Sequence, residues 1–130
     1  MRTLIAFLAA TLIAAAATAA LAGPAAATPD DPTTGDHIGY VFISDVADNE
    51  SSNWFNADNE ITSFTNTHLP SWDADDSKWK GVQRVTSRST YQAANSAFQT
   101  SGYYAGCEVW INDTLVSRDW ATGRFAVASC

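Results

Sequence analysis

Histidine and cysteine occur twice each, methionine once, and lysine and arginine together seven times in 130 residues. Each scarcity closes off a class of chemistry. His37 and His68 stand far apart and supply no metal-ligand cluster, only two isolated candidates for an imidazole base. Cys107 and Cys130 form neither a C-x-x-C redox pair nor a zinc set, which needs more ligands at close spacing. Seven basic residues against fourteen acidic ones leave a formal net charge of −7. A chain so charged is repelled by nucleic-acid phosphates and by anionic membrane surfaces, so neither is expected as a partner. No cofactor fingerprint is present, and no serine stands in a G-x-S-x-G elbow or in an S-x-x-K arrangement with a recognisable partner. No cofactor and no metal are therefore expected, and the chain reads as a non-enzyme.

What is present begins with a leader. Within residues 1–27 the only charge is Arg2, the run from Leu4 to Leu21 is almost wholly apolar, and small residues follow. This pattern predicts a secretory signal peptide over 1–27, cleaved after Ala27 in preference to Ala22. The other reading of the run, of about eighteen residues, is an uncleaved anchor at the lower edge of what spans a bilayer. Thr28 to Asp36 has prolines, a glycine and aspartates with no apolar residue, which predicts a flexible acidic linker. A single folded domain is then expected over 37–130, in the extracellular space or, with the anchor retained, on the outer side of a membrane. Charge is uneven along it: Thr28 to Asp76 contains no lysine or arginine, whereas Ser77 to Cys130 is the basic part. Pairing of antiparallel strands from the two parts would neutralise this asymmetry; the alternative is a site for a cation or an electropositive partner.

Strand signals dominate the domain. Ile38 to Ile43, Asn53 to Asn56 and Ile61 to Thr65 read as strands, the last two joined by the polar turn Ala57 to Glu60. A loop is expected over Leu69 to Lys80, then strands over Val82 to Val85 and Tyr91 to Gln99, the last of which would also tolerate a short helix on propensity alone. Glu108 to Asn112 alternates, turns at Asn112-Asp113-Thr114 and returns through Leu115 to Arg118, with a last strand over Arg124 to Ser129 after the Gly123 turn. About seven short strands with regular turns predict an all-β, antiparallel, immunoglobulin-like β-sandwich. Strand parity places Cys107, Val109 and Ile111 on one face, expected to be the core, and Glu108 and Trp110 on the other. In an exported chain the two cysteines predict one disulfide closing a loop of about 24 residues, worth roughly 3 to 3.5 kcal/mol in the chain-entropy model.

Candidate chemistry is sparse. Asp73, Asp75 and Asp76 with Asp45, Asp48, Asp58 or Glu60 are raw material for a glycosidase-type carboxylate pair, which needs a cleft holding the two about 5 to 10 Å apart. Asp73 to Ser77 has the look of a calcium loop, yet Lys78 stands where an EF-hand requires glycine and Arg84 where it requires glutamate, which leaves a weaker, non-EF-hand calcium site in the Asp/Asn-rich turns as the alternative to ordinary acidic turns. Five tryptophans (Trp54, Trp72, Trp79, Trp110 and Trp120) exceed what so small a core needs. Trp72, Trp79 and Trp110 are the candidate binding surface, able to stack on sugars or anchor a protein, the alternative being that they cap the ends of a thin core.

Several segments carry a family likeness. Cys107-x-Val109-x-Ile111-Asn112-Asp113-x-Leu115-Val116, Ala121-x-Gly123 and Ala126 to Cys130, with Val41 to Asp45, Trp54 to Asn59 and Leu69-Pro70-Ser71-Trp72 upstream, resemble the MmpS family of small membrane-associated proteins. Asn112-Asp113 stands in place of that family's Asp-Gly turn, and Ser71 separates its Pro-Trp pair. The resemblance implies an immunoglobulin-like sandwich with a C-terminal disulfide and an accessory role in the cell envelope, with a protein partner such as a transporter. The sequence thus predicts a secreted, non-enzymatic binding or accessory protein, the alternative being a small carbohydrate-binding or inhibitor domain that uses surface tryptophans.

Overall fold

The computed structural model describes residues 31–130, so the expected signal peptide lies outside the described residues. Those residues form nine strands and no helix: β1 (His37–Ser44), β2 (Asp48–Phe55), β3 (Ile61–His68), β4 (Ser71–Asp73), β5 (Lys78–Thr86), β6 (Ser96–Gln99), β7 (Tyr104–Ile111), β8 (Thr114–Thr122) and β9 (Val127–Ser129). All pairings are antiparallel. They build a five-stranded sheet in the order β4-β5-β1-β7-β8 and a four-stranded sheet in the order β3-β2-β6-β9. The expected β-sandwich is thus the fold.

Period-two burial makes it so. In β1 Ile38, Tyr40, Phe42 and Ser44 point inward while Gly39, Val41 and Ile43 point outward, and in β7 Ala105, Cys107, Val109 and Ile111 are buried. Between the layers Phe42 stacks on Phe98 at 5.3 Å and meets Trp54 at 6.1 Å. The Tyr40 hydroxyl donates to the Phe55 carbonyl at 2.8 Å, and burial pushes its pKa up. Cys107, on the inward face of β7, is bonded to Cys130, directly after β9, so the disulfide ties one sheet to the other.

Several local expectations are corrected. The stretch Leu69 to Lys80, expected as a loop, contains β4 and the start of β5, closed by a turn in which Asp73 Oδ1 accepts the Asp75 N–H at 2.9 Å. Of Tyr91 to Gln99 only Ser96–Gln99 is strand. Residues 91–95 are held off the sheet because the buried Gln92 side chain donates to the carbonyls of Asn56 and Ala93 and accepts from Ser87. Of Arg124 to Ser129 only Val127–Ser129 is strand, since Phe125 has φ 57° and breaks the extended run. Part of the segment expected as a linker is docked: Pro32 is buried, Gly35 N–H donates to the Ser87 carbonyl, and Ser87 N–H donates to the Asp36 carbonyl.

The two layers diverge from one side to the other. Close approaches between them join β6 and β9 to β7 and β8, where the disulfide also lies. On the opposite side the inward-facing Phe64 of β3 and Trp72 of β4 each remain 51% exposed, and Phe64 lines a cleft of about 390 Å³ with Phe42, Trp54 and Leu69.

Candidate functional site

The outward face of the five-stranded sheet is set by register. Gly39 lies between Arg84 and Trp110, Val41 between Val82 and Glu108, and Ile43 between Lys80 and Gly106. On β8, Arg118 continues the second row beside Glu108 and Trp120 continues the third beside Gly106. Four of the chain's seven basic residues, Lys78, Lys80, Arg84 and Arg118, therefore share one face with Trp110, Trp120 and Tyr104.

Most of these charges are spoken for. Lys80 Nζ bridges Asp73 and Asp76, which raises its pKa, and the same contact holds the Asp73 carboxyl below its usual value. Arg118 grips Glu108 through Nε at 2.9 Å and Nη2 at 2.6 Å. The other Glu108 oxygen accepts from Trp110 Nε1 at 3.2 Å, so an arginine, a carboxylate and an indole are fixed in series. Lys78 Nζ sits 4.9 Å from the centre of the Tyr104 ring. Arg84 has no ion-pair partner among the described residues. It borders an open trough of about 600 Å³ whose other walls are His37, Val41, Val82, Glu108 and Trp110. A second trough, of about 650 Å³, lies over Gly106 between Lys80, Tyr104, Arg118 and Trp120.

The sequence candidates separate accordingly. Trp110 lies on the outward face, partly buried along the first trough. Trp79 packs against the core and meets Trp72 edge-on at 5.5 Å, and Trp72 belongs to the gaping side of the sandwich, so the three tryptophans do not form one surface. Trp54 is core, while Trp120 is 61% exposed. Trp120, Arg84 and Gly39 were not singled out from the sequence. Trp120 was within reach of parity counting along β8, whereas Arg84 and Gly39 acquire meaning only through the non-local β1–β5 and β1–β7 registers.

Of the carboxylates offered for acid–base work, Asp73 and Asp76 come together on Lys80, and Asp58, Asp48 and Asp45 meet a guanidinium, an imidazole and backbone amides. Asp58 is paired with Arg88, whose guanidinium lowers its pKa. Asp48 meets His68 at 2.6 Å, and Asp45 accepts the N–H groups of Tyr103 and Tyr104 at 3.0 Å. His37 Nδ1 is within 3.0 Å of Thr86 Oγ1. A general acid needs a raised pKa, and Asp73 is shifted the other way. No three of His, Cys, Asp or Glu converge as a metal-ligand set among the described residues. The asymmetry of charge along the chain is partly cancelled in space, since Lys80 with Asp73 and Asp76, and Arg88 with Asp58, join the acidic part to the basic part.

Fold and surface together define a disulfide-stapled β-sandwich that presents a mixed aromatic and basic face with two open troughs. No protein-family model matches the chain, and no curated protein matches it.

Proposed function

We propose that this is an exported, non-catalytic binding or accessory protein of the cell envelope or extracellular space that engages its partner through the outward face of the five-stranded sheet. The observation that carries this reading is the fixed series Arg118–Glu108–Trp110 beside the unpaired Arg84. A charge and an aromatic ring are held in place on a rigid sheet before any partner arrives, which lowers the ordering cost of binding. The leader sequence supports export, and the disulfide fits an oxidising compartment. The MmpS-like resemblance extends the reading to an accessory role beside a membrane transporter.

The test is intact mass of the native protein recovered separately from culture medium and membranes, followed by crosslinking of wild type and Trp110→Ala. A chain starting near Thr28, two mass units lighter than after reduction, with a crosslinked partner lost in the variant, is the expected result. A reduced chain inside the cytoplasm, or capture indifferent to Trp110, would overturn the reading.

A further inference from the structure

Three glycines lie inside strands, and two have a packing reason. At Gly106 an added Cβ would stand 3.2 Å from Ile43 Cβ and from the Tyr104 ring, and at Gly81 it would stand 3.0 Å from Leu69 Cδ2. Gly39 has none. It lies in the central strand β1, its φ is outside the left-handed region, and the nearest atom to an added Cβ is Trp110 Cβ at an ordinary 3.7 Å. Glycine is poorly suited to a strand interior, where it accompanies either a bulge, such as the register shift between β7 and β8 at Val109/Trp110 beside Gly39, or the close approach of another group.

The surroundings define what approaches. The missing side chain at Gly39 opens the trough between Arg84 on β5 and Trp110 on β7, with Val41 and Val82 on its floor. Its charged groups are Arg84, which is unpaired; Glu108, which Arg118 neutralises; Asp113 at the β7–β8 turn; and His37, which is engaged with Thr86. The trough therefore offers an aromatic side chain, an apolar floor, a strong donor at one wall and an acceptor at the end. A pyranose ring matches this set: its C–H face covers indole and valine, and its hydroxyls both accept from a guanidinium and donate to a carboxylate. We infer that the trough over Gly39 is a sugar-binding subsite in which Trp110 carries the ring and Arg84 reads a hydroxyl or a sugar carboxylate. This names the ligand class of the face proposed above and rests on that reading.

Amide and indole NMR signals of the disulfide-bonded protein would be followed during titration with six methyl pyranosides at millimolar concentration: glucoside, galactoside, mannoside, N-acetylglucosaminide, glucuronide and galacturonide. The expected result is saturable movement of the Gly39 and Arg84 amides and the Trp110 indole N–H with at least one of them. Binding should weaken tenfold or more in Gly39→Val, which fills the trough with a strand-favouring side chain and should melt no lower than wild type. Arg84→Gln, at an exposed position, is the second variant and checks the donor without touching the core. Preference for a uronide that vanishes in Arg84→Gln assigns the guanidinium to a carboxylate; preference for a neutral ring with a weaker Arg84→Gln complex assigns it to a hydroxyl. Absence of saturable shifts with all six sugars, or binding unchanged in Gly39→Val, overturns the inference. A protein partner still captured through Trp110 in that case leaves the wider binding role standing, and loss of both removes both.

Discussion

Asp45 shows how one side chain holds a junction. Its carboxylate accepts the backbone N–H groups of Tyr103 and Tyr104, and beside it lies a buried network in which Ser44 Oγ meets Asn49 Oδ1 and Thr100 Oγ1 at 2.8 Å each. Gly102 lies against the same carboxylate, and a Cβ there would overlap Asp45 Oδ1. Gly102→Ala should therefore push the carboxylate off its donors and cost about 1 to 3 kcal/mol in urea unfolding. Asp45→Ala, which leaves two amide donors without their acceptor, should cost a similar amount, and Asp45→Asn less because one acceptor oxygen remains. Stability unchanged in Gly102→Ala would mean that the β6–β7 connection is looser than this packing requires.

Hairpins account for what could and could not be read from the chain. The β7–β8 turn was legible because Asn112-Asp113 is a two-residue loop between alternating strands, and both residues have positive φ, at 48° and 66°. Asp113 tolerates that conformation less well than glycine, so Asp113→Gly should raise stability by about 0.5 to 1 kcal/mol by thermal melting. The length of β2 was not legible, since its buried positions include Asn49 and Ser52, which are satisfied by hydrogen bonds and carry no hydrophobic period. Of the surface, Trp110 followed from parity with Cys107, whereas β4 spans only three residues and Arg84 needed its partner strands to acquire a role. The β4–β5 hairpin also sets a pH response. Lys80 keeps Asp73 ionised, so its stabilisation is present above the unfolded aspartate value of about 3.9 and is lost as pH falls through the lower folded value. Lys80→Gln should lower the melting temperature slightly at pH 7 and by progressively less on acidification, the two proteins converging once the pH has fallen below the lowered folded value of Asp73. A gap that persisted in acid would assign the effect to packing of the lysine stem.

For the molecule as a whole, the unequal closure of the two layers decides where it should give way. On one side Cys107–Cys130 crosses between sheets, and β9, three residues long, pairs only with β6. A strand that short contributes few ladder bonds, so its place in the sandwich depends on the covalent tie at Cys130 and on burial of Ala128. On the other side β3 is an edge strand whose inward Phe64 is covered by Trp54 at 5.1 Å and by little from the opposite sheet. Local opening has the lowest free energy where few apolar contacts must be broken, so amide exchange should be fastest in β3 and β4 and slowest in β1 and β7 while the disulfide is intact. Replacing both cysteines by alanine should lower global stability by about 3 kcal/mol. It should also reverse the local order at the edges, with the β9 amides now exchanging faster than those of β3. Protection in β9 that survived the double replacement would show that non-covalent packing against β7 and β8 closes that side of the sandwich, with the disulfide acting only on the unfolded chain.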